Sequence, residues 1–431
     1  MLLSFETENY KSFKDKTVFS LVPAPKQKGL DYSILHEKIG KADYKALSTA
    51  VIYGANAAGK TNLIGAMQTF RSIVQHGNIR NCTTPAADPS DCFLELIPNS
   101  TLKESKPVSF SITFIHNNFH IKYTLSIDFG VFLEKSHARS ILSEILEING
   151  KVIYTRTKNE LEIDNLDSIE NLLIQDLLKN KNAVIEVAKN SLKGNSEDLF
   201  LTNGFKTIIS QSFATLIINY VNSNLVTFYH ADNIEYKPEY KERVVNFPKE
   251  FNDAIQNFGI TSNKLVFIKN EKTASSVLCS VFNNKKIVPS DFYESYGTLR
   301  FVTIFPLLVS ALKEGTTLVI DEFDASIHPM AIMNILNIFH NNEININHAQ
   351  LIFNTHNPLY LNGNLLRRDE IKFVERDDDT KCSRQYSLSD FGTKGTNARK
   401  GKDYMKNYFI NEYGAIRDID LSTVFEKAVK G

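Results

Sequence analysis

Period-two alternation of apolar and polar residues opens the chain in LLSFETENYKSF and KTVFSLV, and returns in SFSITFI and FHIKYTLSIDF. Such alternation predicts half-buried strands, and Asn117-Asn118 between the last two predicts a hairpin turn. ALSTAVIYG is different, a short apolar strand. Behind it, Leu63, Ile64, Met67, Phe70, Ile73 and Val74 recur at helical spacing up to Gly77. Residues 78–92 carry Pro, Asn, Asp and Ser and read as a loop.

Residues 133–260 change character. ILSEILEING and KVIYTRT predict strands joined at Asn149-Gly150, followed by an acidic stretch free of Lys and Arg from Glu160 to Asp176 and then by largely helical text. Its hydrophobic repeats do not sustain heptads, so no long coiled coil is expected. Strand and helix text resumes later: TTLVI (316–320), the helical PMAIMNILNIFH, AQLIFNT (349–355) and EIKFVE (370–375). Three parts are therefore expected: 1–132, an inserted and mostly helical lobe at 133–260, and 261–431.

Composition narrows the class. With 431 residues, 42% hydrophobic and 23% charged, the chain reads as a soluble globular protein of more than one structural unit. Lys+Arg and Asp+Glu both number 49, so net basic charge does not mark it as a nucleic-acid binder. The local cluster Lys394, Arg399, Lys400, Lys402 and Lys406 reads as a solvated loop. No apolar run approaches the ~18–20 residues of a membrane span. Four scattered cysteines with no C-x-x-C pair point to a reducing cytoplasm.

Chemistry enters at Gly54, Ala55, Asn56, Ala57, Ala58, Gly59, Lys60 and Thr61, which fit G-x-x-x-x-G-K-[ST]. In such a loop the backbone N–H groups and the following helix N-terminus cradle phosphate. Lys60 would reach the β- and γ-phosphates of ATP, and Thr61 would ligate Mg²⁺. TTLVIDEFD then offers Asp321 for the metal and Glu322 as general base. One strand later, IFNTHNP places His356 where it could sense the γ-phosphate. In ESYGTLR, Ser295 caps the helix running to Gly315.

The succession NYKSF, GANAAGKT, SYGTLR, VIDEFDASIHP and NTHNP resembles the ABC-type ATPases of the SMC/RecF/OLD group. It is closest to the compact AAA-type ATPases of bacterial defence systems (AbiL, RloA, the PARIS ATPase). The resemblance implies an α/β fold of the ABC-type P-loop NTPase class, with a mixed central sheet, an antiparallel β lobe and the inserted lobe. It implies that Ser295, Gly297 and Thr298 form a signature facing the γ-phosphate held by a second subunit. Asp324, Ser326 and His328 would couple two such sites, His356 would be the switch histidine, and Asn9 and Lys11 would border the nucleotide.

No glutamine of the usual metal-contacting kind is identified, with Asp91 or a neighbour as substitute. The 75 residues after His356 are too few for an added nuclease domain, and FVERDDD reads as a charged turn. The implied protein is a cytoplasmic ATPase that dimerises around ATP, or forms a higher oligomer. It would gate a separately encoded toxin or nuclease in response to a nucleic-acid or phage-derived trigger. A DNA-repair or DNA-structure-binding ATPase and an ATP-bound scaffold with negligible turnover are the alternatives.

Overall fold

A computed structural model describes residues 1–76, 94–165, 233–237, 242–270, 276–392 and 401–430, apart from a few positions within those ranges, together with Ile79 and Ala398. The expected loop at 78–92, Asp91 within it, and the helical text of 166–232 fall outside the described residues. So do Lys394, Arg399 and Lys400 of the basic cluster.

The centre is a five-stranded sheet. Its strands are β5 (Thr49–Tyr53), β16 (Thr317–Ile320), β17 (Gln350–Asn354), β18 (Ile371–Arg376) and β19 (Ser383–Ser387), in the order β16-β17-β5-β18-β19. Four pair in parallel and β19 closes the edge antiparallel. Alternation along β5 serves two cores. Ala50 and Ile52 face one cluster, Val51 and Tyr53 the other. On the first side lies α1 (Lys60–His76), whose Leu63, Ile64, Phe70, Ile73 and Val74 are all buried there, as their spacing predicted. On the second side lie α4 (Pro329–His340), α5 (Tyr404–Phe409) and half of α3 (Tyr296–Glu314).

A seven-stranded antiparallel sheet packs over α1. It contains β1 (Leu2–Glu8), β2 (Thr17–Ser20), β6 (Val108–His116), β7 (Phe119–Asp128), β8 (Ser140–Ile148), β9 (Lys151–Thr157) and β10 (Leu161–Ile163). The β6–β7 hairpin turns at Asn118, and the β8–β9 hairpin at Asn149 and Gly150, all with positive φ. Beside these, β3 (Ile34–Ile39) and β4 (Ala42–Leu47) form a two-stranded ribbon.

A third sheet joins β11 (Asn233–Lys237), β12 (Glu242–Asn246), β13 (Lys264–Asn270), β14 (Ser276–Val281) and β15 (Ile287–Pro289), with α2 (Lys249–Phe258) inserted between β12 and β13. The chain ends on α6 (Ser422–Lys430). Positions 133 and 260 thus lie within runs of strands that share a sheet. Among the described residues of 133–260, five strands accompany a single helix. NIEYK and ERVVN are only five residues each, too short for their pattern to stand out from the surrounding text.

Among the described residues α3 is long and apolar enough, by length and composition, to cross a membrane. Arg300, Pro306 and Lys313 break its apolar run in the sequence. Phe301, Val302, Ile304, Leu308 and Ala311 bury its inner face within the fold, as in a core helix.

Candidate functional site

The parallel strands β16, β17 and β5 end side by side, and the residues that follow them meet in the crevice beyond their carboxyl ends. After β5 the chain wraps through Gly54–Gly59 into α1. Two glycines are required by packing. A Cβ on Gly54 would lie 2.3 Å from the Val374 carbonyl oxygen, and one on Gly59, at φ +112°, 2.5 Å from Ser383 Oγ. Ala57 holds positive φ (61°) between them, a conformation that costs a non-glycine residue about 1 kcal/mol or more.

Lys60 is 6% exposed and donates to the carbonyls of Gly54 (2.7 Å) and Ala55 (3.1 Å). Burial lowers its pKa to about 8, against the opposing pull of Asp321 and Glu322. Thr61 Oγ1 donates to Asp321 Oδ1 at 3.3 Å, so a hydroxyl and a carboxylate from elements 260 residues apart meet at the helix start. These hard oxygen donors fit Mg²⁺. The glycine-bearing loop and the helix start beside them fit a phosphate chain.

Asn354, at the end of β17, orients both acids. Its amide nitrogen donates to Asp321 Oδ1, and its amide oxygen accepts from the Glu322 N–H. Glu322 sits at positive φ (49°), its carbonyl held by Arg300 Nη2 at 2.6 Å. His356 is exposed at the same edge. Burial first, then the charge of Lys60, lowers its pKa, so a neutral imidazole faces the crevice at neutral pH. Asp324 accepts from Thr355 Oγ1 at 2.6 Å, and burial raises its pKa despite that bond.

Ser295 caps α3, accepting from the Thr298 N–H at 3.1 Å. Gly297 lies against the segment after β16, where a Cβ would sit 2.3 Å from the Ser326 carbonyl oxygen. Ser326 has positive φ (64°), and His328 Nδ1 caps α4. Around this corner Phe292 (79%), Tyr296 (68%) and Met330 (65%) are exposed.

The chain matches, over residues 50–362, the family described as "AAA domain, putative AbiEii toxin, Type IV TA system". It belongs to that family. No curated protein matches. Among solved structures, the SMC head domain from Thermotoga maritima is 12% identical with a TM-score of 0.35, covering 90% of this chain and 98% of that one. The SMC head bound to the C-winged helix domain of ScpA is 12% identical with a TM-score of 0.41, covering 90% and 97%. An SMC head with an extended coiled coil, bound to a ScpA domain derived from Pyrococcus furiosus, is 13% identical with a TM-score of 0.39, covering 90% and 96%. The ATP-binding P-loop fold of this AAA domain rests on the strand order and loop described above.

Within the AAA domain, Lys60, Thr61, Asp321, Glu322 and His356 are brought together. Ser295, Gly297 and Thr298 form the start of α3, where Gly297 lies against Ser326. Asn9 and Lys11 each have partners within the chain. Buried Asn9 donates to the Lys106 carbonyl (2.7 Å) and accepts from the Asn99 N–H, while Lys11 pairs with Glu95 at 2.5 Å. Positive φ at both residues shapes a tight β1–β2 turn. From that turn it is Ser12 that reaches the loop, its Oγ 2.8 Å from where a Gly59 Cβ would be. Ser12, Ser383, Asn354 and Arg300 were not singled out by sequence, although Ser12, Arg300 and Asn354 lie inside the quoted motifs NYKSF, SYGTLR and NTHNP. FVERDDD is the end of β18 (Phe373–Arg376) followed by the start of the β18–β19 turn, where Asp377 accepts from Asp379 and Thr380.

Proposed function

We propose that this chain is a slow, Mg²⁺-dependent ATPase that closes into an ATP-sandwiched dimer. It would serve in the cytoplasm as the sensor of a bacterial antiphage, abortive-infection-type system, gating a separately encoded toxin or nuclease. One observation supports the reading: Thr61, Asp321, Glu322 and His356 converge on the phosphate loop, while Ser295 caps α3 at an exposed position beside exposed Phe292 and Tyr296. The family description, with its toxin and type IV toxin–antitoxin context, supports the defence setting.

In this reading Lys60 exchanges its two carbonyl acceptors for phosphate oxygens. Thr61 and Asp321 would hold Mg²⁺, which when bound neutralises charge on the phosphates. Glu322, oriented through Asn354 and Arg300, takes the proton of the attacking water. Neutral His356 donates a hydrogen bond to the γ-phosphate and loses that partner once it leaves. Asp324, Ser326 and His328 relay the change to the corner at Gly297 and so to a second site.

The γ-phosphate is the only group present in ATP and absent in ADP, so the closed state must draw its preference from contacts to it. Glu322→Gln keeps every contact except the proton acceptor. It is expected to retain ATP and to shift to a dimer by light scattering. An unchanged mass with ATP, and no preassembled oligomer, contradicts the reading. Turnover stimulated by DNA would favour a repair role.

A further inference from the structure

Glu294 immediately precedes Ser295 and is only 7% exposed. Its carboxylate accepts from the N–H groups of Thr261 (2.8 Å) and Ser262 (3.1 Å), and from the hydroxyls of Ser262 (2.5 Å) and Ser280 (3.0 Å). Burial pushes its pKa up, but these hydrogen bonds outweigh burial and hold it below the ordinary carboxylate value. All the donors belong to the third sheet or its approach: Ser280 lies in β14, and residues 261–262 lead into β13.

A second tie follows the signature, where Thr298 Oγ1 donates to the Gly259 carbonyl at the end of α2 (3.0 Å). Phe258 of α2 stacks on Phe301 of α3, with centroids 4.2 Å apart and planes at 5°. Phe301 and Val302 therefore share a core with Phe247, Phe251, Ile255 and Leu265, whereas Ile304, Leu308 and Ala311 belong to the core under the central sheet. Pro306, which has no N–H to donate along the helix, stands within the second group, between Ile304 and Leu308. On the ATPase side the first turns of α3 meet the Ser326 carbonyl at Gly297 and the Glu322 carbonyl through Arg300.

We infer that Glu294 and Thr298 are positioning residues that fasten the signature to the third sheet. A partner or effector that displaces this sheet would then set the placement of Ser295 and, through Arg300 and Gly297, of the Glu322–Ser326 segment. This rests on the reading of residues 295–298 as the half-site offered to a second subunit. It adds the route by which an event elsewhere controls that half-site. The fastening is polar and satisfied on every side, so it transmits displacement; at the other end Gly297 makes a steric contact that can slide.

The test combines Glu294→Ala with Glu322→Gln and compares it with Glu322→Gln alone. Association by light scattering in ATP and Mg²⁺ is read against affinity for a fluorescent ATP analogue. Loss of a carboxylate accepting several hydrogen bonds is expected to raise the protein concentration needed for association about tenfold or more, with analogue affinity unchanged within about twofold. Glu294→Gln, which keeps an acceptor oxygen, recovers part of the association. Ser280→Ala removes one donor and gives a shift of about threefold in the same direction, which serves where Glu294→Ala fails to fold. Equal association with and without these changes overturns the fastening while the sandwich stands. Equal loss of analogue affinity overturns it as well. Failure of Glu322→Gln itself to associate removes the sandwich and this inference together.

Discussion

The phosphate loop and the signature corner are both glycine-dependent helix starts, yet they are finished differently. The loop is supported from three directions within one chain. Val374 packs behind Gly54, Ser383 Oγ donates to the Ala58 carbonyl at 2.6 Å, and Asn62 donates to Ser12 Oγ at 2.8 Å. Its lysine is held in reserve on carbonyls that a phosphate can replace. The signature corner is equally well capped, but its outward side is lined by exposed Phe292, Tyr293 and Tyr296. Aromatic residues left in water around an ordered helix start are a poor ending for a monomer and a good beginning for an interface. In the proposed reading one region carries its own chemistry and the other is met by a second copy.

The comparison breaks most sharply at Lys60. Lys60→Ala is expected to lower nucleotide affinity by about 100-fold or more, measured by titration with a fluorescent analogue, because a charge-assisted contact to phosphate is lost. Its signature helix should be untouched, with the melting temperature of the nucleotide-free protein within a few degrees of wild type.

Asn354→Ala should leave binding nearly intact while reducing phosphate release about tenfold to a hundredfold. It frees the Asp321 carboxylate and the Glu322 backbone together, at a cost of the order of a buried hydrogen-bond pair. A parallel loss of binding would show that Asn354 supports the loop rather than the acids.

A smaller effect concerns pH. The native pKa of Lys60, about 8, lies below its ordinary 10.5, so above pH 8 the empty site holds fewer protons than the unfolded chain. Stability of the empty protein therefore gains from this residue as pH rises through 8. Nucleotide affinity, which needs the charged form, falls by up to about tenfold per pH unit over the same range. Calorimetry in buffers of different ionisation enthalpy should find proton uptake on binding above pH 8. Equal affinity at pH 7 and pH 9.5 would place the lysine pKa elsewhere.

Much of this was legible in the sequence because it is local. Strand, glycine-rich loop and amphipathic helix are consecutive at 49–76, and the apolar run ending in Asp321-Glu322 announces itself. Hairpins at Asn118 and Asn149-Gly150 follow from residues that tolerate positive φ. The supports of the site were not legible, since their meaning depends on where distant segments come to rest. Ser383 meets Ala58 across 325 positions of chain, and Asn354 reaches Asp321 across 33. The same holds for the segment of Asn9 and Lys11: a turn forms there, and which of its side chains lies against the loop, Ser12, depends on how that turn packs.

The central claim is that each ATP is completed by a signature from another copy, and mixing two inactive variants tests it most directly. Lys60→Ala lacks a working loop, and Ser295→Arg, at an exposed position, lacks a working signature. A mixed dimer has one site composed of the Ser295→Arg loop and the Lys60→Ala signature. The account predicts that phosphate release, near zero for each variant alone, returns to about a quarter of the wild-type rate when the two are mixed in equal amounts. Mixtures that stay as inactive as their components, while still forming mixed dimers by mass, would contradict it.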